Sequence, residues 1–161
     1  MVFSRWLAYS RGVDNRLTAV FIFDSKESKI HQVTSGAYPD YDPCFDPEGK
    51  YLYYITSRTF SPVYSSFDNT FIYPNSATIA AVPLKNDTPS PIAPRNDEVK
   101  AKEDKKESDG KKKDDKKDKD DDGKKEEIKI VKIDFDGFEN RLVMLPPKAG
   151  RYANLQAVKK K

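Results

Sequence analysis

One stretch of the chain, Arg95–Glu127, limits how much of it can fold. It holds 13 basic and 14 acidic residues among 33, and no aromatic residue. A segment with this much charge cannot bury enough apolar surface to offset the entropy lost on ordering. Asp is abundant in it and is a poor helix former, which disfavours a single charged helix. We therefore expect a disordered insertion over 95–127 that separates residues 1–94 from residues 128–161.

The rest of the sequence has the pattern of short β-strands. Apolar, aromatic and β-branched residues come in short runs bounded by Gly, Pro, Asp and Asn. None of these runs shows a helical period over ten or more residues, and most of the 11 prolines lie between runs. The pattern predicts an all-β fold, with strands at Arg5–Ser10, Leu17–Asp24, Lys29–Thr34, Asp42–Phe45, Tyr51–Ser57, Ala77–Leu84, Ile128–Phe135, Asn140–Leu145 and Tyr152–Val158.

The pattern of these strands repeats along the sequence. Arg5–Tyr9 aligns with Lys50–Tyr54 at an offset of 45 residues, and a partial third copy begins near Tyr152–Val158. Such a period is typical of a propeller blade of four short strands. In Asp46–Gly49, Asp at i, Pro at i+1 and Gly at i+3 predict a β-turn between two of the strands. We predict a partial β-propeller of about two four-stranded antiparallel blades and the start of a third.

Several motifs carry a family resemblance. Asp42–Tyr54 resembles the repeat D-P-x-[FW]-S-P-D-G-K-x-[LI]-x-[FY] of TolB-like and tricorn-type propellers, with Asp46 in place of the usual Ser, and Gln32–Gly36 resembles the strand end that precedes it. Ile133–Arg141 is similar to the segment I-D-x-D-G-[IF]-x-x-R of tricorn-type serine peptidases. The Pro-containing turn Leu145–Pro147 and then Tyr152–Ala157 follow it, as in that family.

The resemblance implies a non-catalytic propeller segment of a tricorn-like serine peptidase. It also implies that the segment guides peptides or unfolded polypeptide to or from an active site in domains downstream, and that the whole enzyme is a homo-oligomer, which we expect in the cytoplasm. A periplasmic location stays open if the native start is missing. Two alternatives remain: a TolB-like propeller that acts as a protein-binding module, or the propeller of a prolyl-oligopeptidase-type enzyme.

The ends of the sequence suggest a piece of a longer protein. The first copy of the repeat lacks the turn and the strand that precede it in the second copy, so the chain enters its first blade midway. It stops just after a further strand has begun. An open propeller fragment leaves sheet edges unpaired, so we expect it to depend on the missing chain for stability.

No constellation of residues predicts catalysis or a cofactor. His31 lies in a predicted strand and is interpreted as a surface residue, and Cys44, between Pro43 and Phe45, as a small buried one. Asp118–Gly123 mimics the start of a calcium loop, but its twelfth position is Lys129 where a Glu is required, so we predict no metal site. We expect the chain itself to be non-catalytic.

The aromatic loop Arg58–Tyr73 is the best candidate for a functional surface. It should connect the second and third strands of the second blade, and long loops in compact domains are often functional. We predict that Arg58, Tyr64 and Phe67 line a peptide path or contact a neighbouring subunit. The alternative is a loop whose aromatic residues fill a local core.

Charge and hydropathy exclude two classes of partner. Outside 95–127 there are 16 basic and 12 acidic residues, from chain totals of 29 and 26, and a charge of +4 is too small to suggest the clustered basic face that nucleic-acid binding needs. We therefore expect no nucleic-acid partner. No stretch approaches the ~18 apolar residues of a membrane-spanning helix, so none is predicted.

Overall fold

The structure, a computed structural model, describes residues 5–92 and 131–159. The predicted insertion at 95–127 and the calcium-loop mimic at Asp118–Gly123 lie outside the described residues. The described part forms β-strands and one 3-10 helix, Glu139–Arg141. The strands are β1 (Trp6–Gly12), β2 (Thr18–Asp24), β3 (Lys29–Gln32), β4 (Asp40–Phe45), β5 (Tyr51–Thr56), β6 (Val63–Tyr64), β7 (Phe71–Ile72), β8 (Thr78–Pro83) and β9 (Val143–Met144).

The strands form antiparallel sheets of blade size. β1, β2 and β3 make a three-stranded sheet, and a second sheet has the order β4-β5-β8-β9. β6 and β7 pair with each other as a separate hairpin. The predicted all-β, antiparallel fold is confirmed, with one three-stranded and one four-stranded sheet among the described residues.

The core lies between the two sheets. β2 is the central strand of its sheet, and its β-branched and aromatic residues are buried on both faces. β5 and β8 are central in the second sheet, and their buried side chains meet those of the first sheet. The shared core consists of Trp6, Val20, Ile22, Val33, Phe45, Leu52, Tyr54, Ala80, Val82, Leu84, Val131 and Phe138.

The turn predicted at Asp46–Gly49 is confirmed. The Gly49 amide donates to the Asp46 carbonyl at 2.9 Å, and the Lys50 amide donates to the Asp46 carboxylate at 3.2 Å. Gly49 has φ +71°, a conformation that glycine adopts without steric cost. The turn joins β4 to β5.

The spacing of the repeat differs by one residue from the sequence alignment. An offset of 45 places Leu7 on Leu52, but Leu7 is 43% exposed and Leu52 is fully buried. Burial instead matches Trp6 with Leu52 and Ala8 with Tyr54, an offset of 46. Because side chains of a strand alternate between faces, a shift of one residue exchanges the buried and exposed sets.

Three of the predicted strands differ from the structure. In the predicted strand Asn140–Leu145, only Val143–Met144 pairs, because the chain first turns through Gly137 (φ +60°) and the 3-10 helix. Residues 131–135 and 152–158 form no strand within the described ranges. The second of these segments runs beside β4 through hydrogen bonds from the Leu155 amide to the Asp42 carboxylate (2.8 Å) and from the Ala157 amide to Cys44 Sγ (3.3 Å).

Candidate functional site

A hairpin projects from the connection between β5 and β8. β6 and β7 pair through Val63 with Ile72 and Tyr64 with Phe71. At its turn, Asn69 has φ +54° and its side-chain oxygen accepts a hydrogen bond from the Tyr64 hydroxyl at 2.8 Å. The position of the loop agrees with the sequence prediction, whereas the hairpin within it was not predicted.

The hairpin and its flanks carry much exposed apolar surface. Phe67, at the turn, is 97% exposed, and Phe60 is 79% exposed. Between described residues, the ring contacts of the hairpin are pairwise, with centroids 5.8 Å apart for Phe60 and Tyr73 and 5.7 Å apart for Tyr64 and Phe71. The aromatic residues therefore do not fill a local core. Exposed apolar patches of this kind mark binding surfaces. The exposed set is Phe60, Val63, Tyr64, Phe67, Phe71, Ile72 and Tyr73.

An ionic cluster lies at the base of this connection. The Arg58 guanidinium donates to the carboxylate of Glu139 and, at 3.2 Å, to that of Asp40, the first residue of β4. Glu139 also accepts hydrogen bonds from the Ser35 amide at 2.8 Å and the Ser35 hydroxyl at 3.2 Å. Tyr38 lies beneath the guanidinium, 5.0 Å from its ring centroid. The cluster ties the start of β4, the end of β5 and the 3-10 helix together.

Burial shapes the electrostatics of this cluster. Asp40 is fully buried, and its Oδ1 atom and the Tyr54 hydroxyl have no hydrogen-bond partner among the described residues. Burial raises the pKa of Tyr54, and the nearby Asp40 carboxylate raises it further. Burial would also raise the pKa of Glu139, but the hydrogen bonds from Arg58 and Ser35 hold it below its ordinary value. Arg58 therefore compensates two carboxylates at once.

The three predicted site residues occupy different parts of the connection. Arg58 is engaged in the ionic cluster at its base. Tyr64 lies on β6, and Phe67 lies at the turn of the hairpin. Tyr64 and Phe67 are exposed to solvent, whereas Arg58 is mostly covered.

Beside the hairpin lies an open cleft of about 690 Å³ that was not predicted from the sequence. Its floor is the bridge between Ala77 and Gly150, where the Gly150 amide donates to the Ala77 carbonyl at 2.8 Å. Tyr73 and Tyr152 are among the residues that line it. The cleft was missed because it joins the β7–β8 link to a segment more than seventy residues later. The lining is Tyr41, Ser57, Ile72, Tyr73, Pro74, Asn75, Ser76, Ala77, Gly150, Arg151 and Tyr152.

The two residues considered for nucleophilic chemistry lie on different sheets. His31, on β3, stacks on the ring of Phe135. Cys44, on β4, is buried, as predicted, and accepts the hydrogen bond from Ala157. Across residues 5–92 and 131–159, no three acidic, His or Cys side chains are grouped closely enough to hold a metal ion. The same ranges contain no helix with the length and apolar character needed to cross a membrane.

Comparisons with known proteins agree on one family. The family model described as the tricorn protease second beta propeller domain matches residues 3–161. Tricorn protease homolog 1 of Streptomyces coelicolor is 31% identical over 159 residues, which cover 97% of this chain and 13% of that protein. The tricorn protease of Thermoplasma volcanium is 34% identical over 94 residues, which cover 55% of this chain and 9% of that protein.

A solved structure shows the same fold. The crystal structure of the tricorn protease matches 93% of this chain with a TM-score of 0.62 and 20% sequence identity. The match covers 13% of that chain. The partial β-propeller and the family resemblance predicted from the sequence are thereby confirmed, and the chain spans about an eighth of the length of the Streptomyces coelicolor relative and of that solved chain.

Proposed function

The chain belongs to the tricorn protease family and matches its second β-propeller domain, and we propose that it is a non-catalytic segment that guides peptides to or from the active site of a larger peptidase. The exposed aromatic hairpin is the observation that carries this proposal. Aromatic side chains provide large apolar contact areas for passing peptides at little cost in side-chain conformational entropy.

The three residues predicted from the sequence take two roles in this proposal. Tyr64 and Phe67 contact the peptide, because their rings are exposed on the hairpin. Arg58 fixes the base of the hairpin through Asp40 and Glu139, so it acts as a positioning residue. We also propose that the parent protein is a peptidase that assembles as a homo-oligomer in the cytoplasm. This chain spans only 13% of the Streptomyces coelicolor relative, so these properties concern the parent protein and not this chain alone.

A comparison of long and short substrates in the full-length peptidase tests the guiding role. We expect the double substitution Tyr64→Ser and Phe67→Ser to slow hydrolysis of a peptide of about twenty residues several-fold. A tripeptide reporter, which diffuses to the active site without guidance, should be hydrolysed at the original rate. Ile30→Ser removes another exposed apolar residue, 50% exposed on β3, and is the control. Equal effects on both substrates, or no effect on either, would contradict the proposal.

A second assay tests the absence of catalysis. The purified 161-residue chain is expected to hydrolyse none of a panel of peptide substrates. Turnover that disappears in the variant His31→Ala would refute the non-catalytic assignment.

A further inference from the structure

The described lining of the cleft beside the hairpin carries a positive charge and no negative charge. Among the described residues that line it, Arg151 is the one charged residue and none is acidic. Arg151 is exposed and forms no ion pair within the described residues. Ser57, Asn75 and Ser76 add side-chain donors that bond to no other described group. The cleft therefore offers a positive charge and several hydrogen-bond donors without an acid to neutralise them.

Tyr152, the neighbour of Arg151 in the cleft lining, makes contacts through both its hydroxyl and its ring. The Tyr152 hydroxyl donates to the Lys148 carbonyl at 2.5 Å. Its ring packs against Gly150, where an added Cβ would lie 3.4 Å from Cζ and 3.5 Å from Cε2 of the ring. These two contacts, one through the ring and one through the hydroxyl, favour the position of Tyr152 next to Arg151.

The opposite wall comes from the link between β7 and β8. Tyr73 packs against Phe60, with ring centroids 5.8 Å apart. The ring of Pro74 fixes the φ angle of that residue, and Asn75 turns the chain with φ +51°. The lining also includes the small residues Ser76, Ala77 and Gly150, whose short side chains leave room for a peptide backbone.

We propose that this cleft binds an extended peptide segment through a carboxylate, which pairs with the Arg151 guanidinium while the rings of Tyr73 and Tyr152 contact the neighbouring apolar side chains. The inference rests on the proposed function, because it assigns a substrate class to the same propeller face. A guanidinium binds a carboxylate through paired, charge-assisted hydrogen bonds. The volume of about 690 Å³ suits a few peptide residues and lies in the usual range for ligand sites.

Fluorescence anisotropy with the full-length protein and labelled hexapeptides tests the proposal. The first hexapeptide is apolar with a free C-terminal carboxylate, and the second is its C-terminal amide. A third amide carries one aspartate, which separates a side-chain carboxylate from a terminal one. We expect the free acid to bind about tenfold more tightly than the simple amide. Arg151→Gln should remove this difference, and Lys148→Gln, which removes an exposed charge outside the cleft lining, should retain it.

Each outcome of the binding experiment either supports or overturns the carboxylate site. Tight binding of the aspartate peptide identifies a side-chain carboxylate as sufficient, and weak binding restricts the site to the peptide terminus; both support the cleft. Equal affinity for acid and amide, or an equal loss in Arg151→Gln and Lys148→Gln, overturns it. If no hexapeptide binds while the hairpin variant still slows long substrates, the carboxylate site is wrong and the guiding role stands.

Discussion

The imidazole of His31 lies parallel to the ring of Phe135, with centroids 3.7 Å apart and an angle of 6° between the planes. Phe135 also meets the Trp6 ring edge to face, at 5.8 Å and 62°. The Trp6 indole N–H donates to the Val131 carbonyl at 2.7 Å. The segment that begins at Val131 is therefore fastened to the first sheet, although β9, which follows it, belongs to the second.

Phe135→Ala should destabilise the chain by about 2 kcal/mol, because it removes a half-buried ring and two ring contacts. Denaturant unfolding followed by Trp6, the single tryptophan, measures the change. Phe67→Ala removes the same side chain from an exposed site and should change stability by less than about 0.5 kcal/mol. Equal effects of the two substitutions would show that the stack contributes nothing.

Arg58→Ala should destabilise the fold by about 3 kcal/mol, because it leaves the buried Asp40 carboxylate without its cation. Arg151→Ala, which removes an exposed arginine, is the control and should be nearly neutral. Denaturant unfolding again provides the measurement.

Asp40→Asn provides a test of this cause. In the Arg58→Ala background it should recover at least about 1 kcal/mol, since a neutral amide no longer needs a cation. Asp40→Asn alone should destabilise the fold. If the two substitutions were additive, the pair would not be coupled and the explanation would fail.

Stability should fall in acid because of Asp24. Its carboxylate accepts hydrogen bonds from Arg5 at 2.9 and 2.5 Å, and these, with the amides of Lys26 and Glu27, lower the pKa of Asp24 to about 2 from an ordinary value of 3.8. A lowered folded-state pKa stabilises the fold above pH 3.8, and that stabilisation is lost as the pH falls toward 2.

Unfolding measured between pH 5 and 2 checks this expectation. Asp24→Asn should be less stable than the original chain at pH 5 and should show a shallower loss on acidification. Asp14→Asn changes an exposed carboxylate and should leave the slope unaltered. A parallel slope for Asp24→Asn would exclude Asp24 as the source.

Much of the fold follows from local sequence patterns. Runs of β-branched and aromatic residues located β2, β5 and β8, because strand propensity and burial agree there. The Asp-Pro-x-Gly order located the turn before β5, since each of these residue types favours one position of the turn. The burial of Cys44 followed from its apolar neighbours.

The remaining features depend on contacts between distant parts of the chain. His31 was interpreted as a surface residue, because nothing near it in sequence indicates that Phe135 covers its ring. In the ionic cluster, Arg58 contacts Asp40, which lies 18 positions earlier in the chain, and Glu139, which lies 81 positions later. The cleft needs Tyr73 and Tyr152 together. Sequence alone names such residues but does not bring them into contact.

Shortening the segment between β8 and Val131 should leave the blade intact. The Asp134 amide donates to the Leu84 carbonyl at 2.8 Å, and the Asn86 amide donates to the Asp134 carboxylate at 2.9 Å. Replacing residues 93–130 by a Gly/Ser linker of about eight residues should raise stability by about 1 kcal/mol, because a shorter loop costs less entropy to close. Denaturant unfolding measures this, and a loss of several kcal/mol would show that 93–130 supports the fold.

The hydrogen bond between Asp134 and Leu84 links the two described ranges beside the β-sheet. We therefore expect insertions and deletions within residues 93–130 to leave the β-sheet undisturbed, and this junction to tolerate changes in length and composition. For the same reason it is a natural position at which an engineer could graft a reporter or an affinity tag.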